Sequence, residues 1–199
     1  HLWYPAVDQP YTLGISGGAA IGICLNMVFG LYLMARNYSM PICGFLGAAV
    51  VMILVYSMST GKGILRIRQL LLTGVMISFI SSSMIMFIMA VSHTEDLHGI
   101  IFWIMGSLQE TSWSLVKLAV FLSLLGLVAS YFFCHDLNAL STGKEEAQHL
   151  GVNVERTKRI LFVLSAMLTG LSVSVAGIIG FVGLVVPHFV RLFMGGDHR

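Results

Sequence analysis

Three constellations in this chain carry residue types that do chemistry. Gly14, Ile15, Ser16 and Gly17 read GxSG, and His188 lies in a later apolar run. A serine hydroxyl and an imidazole in hydrogen-bond reach would suffice for nucleophilic attack, as an intramembrane serine protease needs. STGK occurs twice, at Ser59 to Lys62 and at Ser141 to Lys144, and resembles the end of a phosphate-binding loop. His93, Glu95, Asp96 and His98 bring four metal-ligating side chains into one short stretch.

Each constellation has a plainer reading. A phosphate loop needs a glycine five positions before its Gly-Lys pair, where this chain has Tyr56 and Asn138, and a Ser or Thr after the lysine, where Gly63 and Glu145 stand. Both STGK copies are therefore decoys, and any ATP hydrolysis would have to come from another subunit. The His93 to His98 group lacks a second pair at fixed spacing, so a solvated acidic turn is preferred and no metal site is assigned. Cys24, Cys43 and Cys134 form no CxxC pair and read as small apolar fillers. GxSG in a glycine-rich helix is a weak motif, and His188 is preferred as a packed helix residue. Cleavage of a membrane peptide that depends on Ser16 would favour the protease.

The elements that carry these residues are greasy. Of 199 residues, 57% are hydrophobic and 10% charged, against roughly 25% charged in soluble domains. Apolar residues run uninterrupted for nearly the length of about 20 that crosses a bilayer core. The runs are Thr12 to Met34, Pro41 to Ser59, Leu70 to Val91, Trp113 to Phe133 and Ile160 to Ile179, with Gly180 to Met194 as a shorter sixth. The expected fold is an all-α integral membrane bundle of about six spans, one transmembrane domain over residues 1–199. No signal peptide precedes the first run, and the chain reads as a fragment. A nucleic-acid partner is not expected. A secondary transporter is the main alternative function; it requires intramembrane charges, for which only Lys117, near a helix end where it can snorkel, comes close.

Basic residues set the orientation, because Lys and Arg stay on the cytoplasmic side of short loops. Lys62, Arg66 and Arg68 fall in one loop, and Lys144, Arg156, Lys158 and Arg159 in another; Arg191 and Arg199 follow the last run, leaving Arg36 and Lys117 outside. Both loops should face the cytoplasm. Gly99 to Leu108 then cannot cross, since a crossing would separate the loops and its length covers about half the core. A short helix at the outer surface is expected there. Gly180, Gly183 and Pro187 interrupt Gly180 to Met194, the pattern of a broken helix lining a transport pathway. Gly14, Gly18 and Gly22 strip one helical face of side chains for close packing; the alternative makes Ser16 and Gly17 pathway residues. Met76, Met84, Met86 and Met89 share no face and read as adaptable packing.

The longest polar stretch, LSTGKEEAQHLGVNVERTKR from Leu140 to Arg159, needs its own account. Thr142 and Glu145 stand at capping-box spacing, so a helix is expected to begin there. Gly151 can close it in the left-handed conformation, and Leu140, Ala147, Leu150 and Val154 recur as a modest apolar stripe. A short amphipathic helix on the cytoplasmic surface suits a groove on a soluble partner better than a bare connector does.

The tail GFVGLVVPHFVRLFMGGDHR, the opening PYTLGISGGAAIG and the central GKEEAQHLGV together resemble the FecCD family, permeases that import iron chelates, haem and cobalamin in type II ATP-binding-cassette systems. YPAVDQPY departs from the family's usual NPLADPY by one extra residue and by Tyr4 in place of its Asn. The resemblance implies a ten-span permease of which this chain holds spans three to eight. It further implies a homodimer in the bacterial or archaeal cytoplasmic membrane, two cytoplasmic ATPase subunits carrying ATP-Mg, and an extracytoplasmic substrate-binding protein. The permease itself binds no cofactor and does no covalent chemistry. Within the cytoplasmic segment 137–153, Gly143, Lys144, Glu145, Glu146, Ala147, Leu150 and Gly151 would be the coupling helix seated in the ATPase cleft. Ile67, Arg68 and Gln69 would form the inner gate, and Gly99 to Leu108 the short outer helix. Sidedness is directly measurable: a cysteine placed at Gln148 is expected to resist an impermeant thiol reagent in intact cells and to react after permeabilisation.

Overall fold

The structure is a computed structural model that describes residues 14–30, 38–61, 64–107, 112–178 and 189. Among the described residues it forms α1 (Ile15–Phe29), α2 (Ser39–Ser59), β1 (Thr60–Gly61), β2 (Ile64–Leu65), α3 (Ile67–Val91) and α4 (Thr94–Met105), then α5 (Trp113–Phe132), α6 (Cys134–Thr142), α7 (Lys144–His149) and α8 (Val154–Ala176). Among the described residues the fold is all helical apart from this small hairpin, and α2, α3, α5 and α8 are long and apolar enough to cross a membrane. This is a multi-pass membrane protein. The expected broken helix Gly180 to Met194, with Gly180, Gly183 and Pro187, lies outside the described residues.

In lipid the apolar side chains gain little by meeting one another, so helices associate where backbones approach closely. Glycine supplies that approach here. A Cβ on Gly18 would sit 2.6 Å from the Gly47 carbonyl oxygen, one on Gly22 would strike the Cys43 carbonyl oxygen, and one on Gly47 would strike the Gly18 carbonyl oxygen. α1 and α2 thus pack antiparallel with backbone against backbone. The same α1 turns to α3 with Gly14 and Gly17, whose added Cβ atoms would lie 3.0 Å from the Gly74 carbonyl oxygen and 2.6 Å from the Ser81 Cβ. α2 also meets α8, where Gly44 approaches Ser174, Gly170 approaches Ala48, and the Tyr56 and Phe162 rings stack at 6.2 Å. These three pairs run in opposite order along the two helices, so α2 and α8 are antiparallel as well.

Several hydroxyls on α3 and α5 are satisfied locally. Ser78 donates to the Gly74 carbonyl, Ser82 to Ser78, Ser83 to Phe79 and Ser130 to Gly126, each near 2.9–3.0 Å. A hydroxyl bonded to its own helix carries little desolvation cost at membrane depth. The outward faces of α3 and α5 are apolar, with Phe79 at 72% and Tyr131 at 70% exposure, a surface for lipid or further helices.

Since α1, α3 and α8 all run opposite to α2, their C-terminal ends share one face, and α4 lies across it. Ile100 is fully buried in a cluster with Ile23, Cys24, Met27 and Ile88, while the Ser107 N–H donates to the Ala176 carbonyl at 2.9 Å. α4 therefore does not cross, as the charge pattern requires. It begins earlier than expected, however. Thr94 to His98 form its first turns, so the acidic stretch is helix and not a turn, with His98 Nδ1 3.1 Å from the Thr94 carbonyl oxygen. The opposite face gathers the hairpin, the start of α3, the end of α5, α6, α7 and the start of α8. Both basic loops lie there together. A Gly47→Val variant is expected to lose about 1–3 kcal/mol by overpacking, and Gly151→Ala, at an open position, about 1 kcal/mol from its φ of 83°; thermal unfolding of the detergent-solubilised protein should show the larger fall for the first.

Candidate functional site: the basic-loop face

α6 breaks from α5 at Phe133 and runs through Thr142, where Gly143 stops it with φ 144° and ψ 160°, a backbone that favours glycine. This overturns the expected capping box. Thr142 is the last residue of α6 rather than a cap, and the α7 N-cap is Gly143 with no side-chain cap bond. The expected short helix is α7, beginning after Gly143 and preceded by a further helix, α6. The Gly143 carbonyl accepts from the Ala147 N–H at 3.1 Å. At the other end the expectation holds: Gly151 is left-handed at φ 83°. Its N–H donates to the Gln148 carbonyl at 3.0 Å and the Val152 N–H to the Ala147 carbonyl at 3.0 Å, the paired bonds of a Schellman closure.

The expected apolar stripe divides. Ala147 and Val154 are buried at 0% and 2% exposure, whereas Leu150 stands 70% exposed and is not part of the core. The reason is the closure itself, which turns the chain at Leu150 before the helical face can return to the bundle. Glu145, Glu146, Gln148 and His149 are exposed beside it. The two carboxylates occupy the first turn of α7 and His149 its last, which suits the helix dipole. The outcome is a short polar helix pinned by one alanine, with a leucine presented to solvent.

α8 starts at Val154, six residues before the expected Ile160. Asn153 caps it, accepting from the Arg156 N–H at 3.1 Å, and Glu155 adds a carboxylate to the first turn. The gate candidates stand on the same face. Ile67, Arg68 and Gln69 form the first turn of α3, with Arg68 and Gln69 exposed. Just before them, β1 pairs antiparallel with β2 through Thr60 opposite Leu65 and Gly61 opposite Ile64. The side chains of Ile67 and Lys144 and all of Lys62 lie outside the described residues. Ser16 and Gly17 are elsewhere. Ser16 is 7% exposed, and Gly17 packs on Ser81 of α3. No cluster of metal-ligating side chains occurs among the described residues.

The sequence profile of the FecCD transport family matches residues 7–199. This chain belongs to that family. FecCD relatives include the hemin transport system permease protein HmuU of Yersinia pestis, 37% identical over 100% of this chain and 60% of the relative. The cobalamin import system permease protein BtuC of Halobacterium salinarum is 34% identical over 98% of this chain and 52% of its own length. The Fe(3+) dicitrate transport system permease protein FecD of Escherichia coli is 36% identical over 96% of this chain and 58% of the relative. The chain thus spans between 52% and 60% of these curated relatives. In three dimensions it is similar to an inward-facing ABC transporter assigned to the metal-chelate type, with a TM-score of 0.86 at 28% identity over 97% of this chain and 62% of that one.

Residues that build the site but escaped the sequence reading are Asp136, Asn153, Thr157, Tyr56 and Phe162. Asn153 left a signal, since Asn followed by Val-Glu is a good helix start. Asn153→Ala is expected to cost about 1 kcal/mol, visible as faster hydrogen exchange in the first turn of α8 with the rest of the helix unchanged.

Proposed function

We propose that the full-length protein is the permease subunit of an ATP-binding-cassette importer for a metal chelate of the iron-siderophore, haem or cobalamin class. The observation that carries the reading is α7, a polar helix held to the bundle by Ala147 while Glu145, Glu146 and Leu150 project from the face that gathers both basic loops. A helix on that face with one leucine and two carboxylates presents what a groove on a soluble protein accepts. The named relatives, permeases of hemin, cobalamin and Fe(3+) dicitrate systems, support the cargo class.

In this reading two permease copies form a homodimer in the cytoplasmic membrane of a bacterium or archaeon. Two cytoplasmic ATPase subunits hold ATP-Mg and grip Gly143, Lys144, Glu145, Glu146, Ala147, Leu150 and Gly151. A substrate-binding protein delivers solute at the outer face, near α4. Closure of the ATPase pair displaces α7 and rearranges the gate around Ile67, Arg68 and Gln69. Ser16, Gly17, Gly180, Gly183 and Pro187 are the pathway candidates. The chain contributes no catalytic residue and no cofactor site of its own.

Glu145→Arg combined with Glu146→Arg tests the coupling role. Both positions are exposed, so the variant is expected to fold and insert normally while ATPase binding and transport-stimulated hydrolysis fall together. Retention of both in purified complexes would remove α7 from the coupling surface.

A further inference from the structure

The N-terminal part of α8 touches both the α6–α7 segment and the hairpin that leads into the gate candidates, here called the gate hairpin. On one side Thr157, 3% exposed, donates its hydroxyl to the Asp136 carboxylate at 2.9 Å, reaching from the first turn of α8 to the first turn of α6. On the other side β2 packs against α8, and Phe162 stacks on Tyr56 one turn before α2 ends in the hairpin. The Arg66 N–H closes that hairpin on the Ser59 carbonyl at 3.2 Å. Between these attachments α8 is regular and its start is fixed by the Asn153 cap. We infer that Thr157 and Asp136 are a positioning pair that makes the base of α8 the rigid link through which displacement of α6 and α7 reaches the gate hairpin. The inference rests on the importer reading.

The chemistry suits the task. Threonine is stiff at χ1 because of its branched Cβ, and aspartate has a short side chain, so neither partner absorbs a displacement by changing rotamer cheaply. A hydroxyl bonded to a carboxylate is also stronger than a bond between neutral groups. Ala147 and Val154 bury nearby on α7 and α8, but apolar contacts slide, whereas the hydrogen bond holds one register. Removing it should leave the helices packed and loosen their coupling.

The test uses the full-length permease assembled with its ATPase subunits in lipid nanodiscs. A cysteine at Arg68, exposed at the gate, reports the thiol-labelling rate with and without Mg-ATP and vanadate. Thr157→Val, which keeps shape and loses the donor, is expected to shrink the nucleotide-dependent change at least about fivefold, with assembly and basal hydrolysis retained. Thr157→Ser should restore the change. Asp136→Ala carries the same expectation as Thr157→Val should the latter not assemble, and the double variant should lose no more than either single. A wild-type response in Thr157→Val or Asp136→Ala, or no rescue by serine, overturns the pair's role alone. A wild-type protein that binds no ATPase, or whose gate ignores nucleotide, overturns the importer reading and this inference with it.

Discussion

The fold depends on one contact, the approach of the α1 backbone to the α2 backbone at Gly18, Gly22 and Gly47. Lipid tails are as apolar as leucine, so a bundle in a membrane holds together by surface fit. Here the fit is made by missing side chains. Carbonyl oxygens of one helix occupy the space where the other would carry a Cβ. With α1 and α2 locked in antiparallel register, α8 packs against the pair, and small residues at Gly44, Gly170 and Ala48 again allow close approach there.

From that register follows the arrangement of both ends. α8 is parallel to α1 and α3, so α4 lies over three C-terminal ends on one face, while the hairpin, α6 and α7 converge on the other. The Tyr56–Phe162 stack places the end of α2 beside the start of α8, and Asp136 reaches the same turn from α6. The hairpin that precedes Ile67 and the α6–α7 segment, far apart in sequence, become neighbours of one helix.

Much of this was legible beforehand because membrane burial writes long uniform runs. α2 and α5 fall within a residue or two of their expected bounds, and the charge pattern alone required α4 to stay on one side. Glycine spacing in α1 announced close packing without naming α2 and α3 as its partners, since partner choice lies in tertiary structure. The polar segment was read least well. Thr142 and Glu145 satisfy the capping-box spacing, but α6 reaches Thr142 with helical backbone and Gly143 breaks it, a decision made by packing beyond the local pattern. The extra turns of α8 were hidden by their charges, which resemble a loop in hydropathy and are helix by virtue of the Asn153 cap.

α7 is bounded by Gly143 at φ 144° and Gly151 at φ 83°, and of its side chains with described burial only Ala147 is sequestered. Such a piece is a detachable plug: both joints are made of backbone, and the bundle asks for nothing more than one small residue between them. Mutational drift on its outer surface leaves the membrane helices undisturbed. In the importer proposed above, a lineage could therefore retune which motor the permease accepts while its solute route stays untouched, and could alter the route without forfeiting the motor.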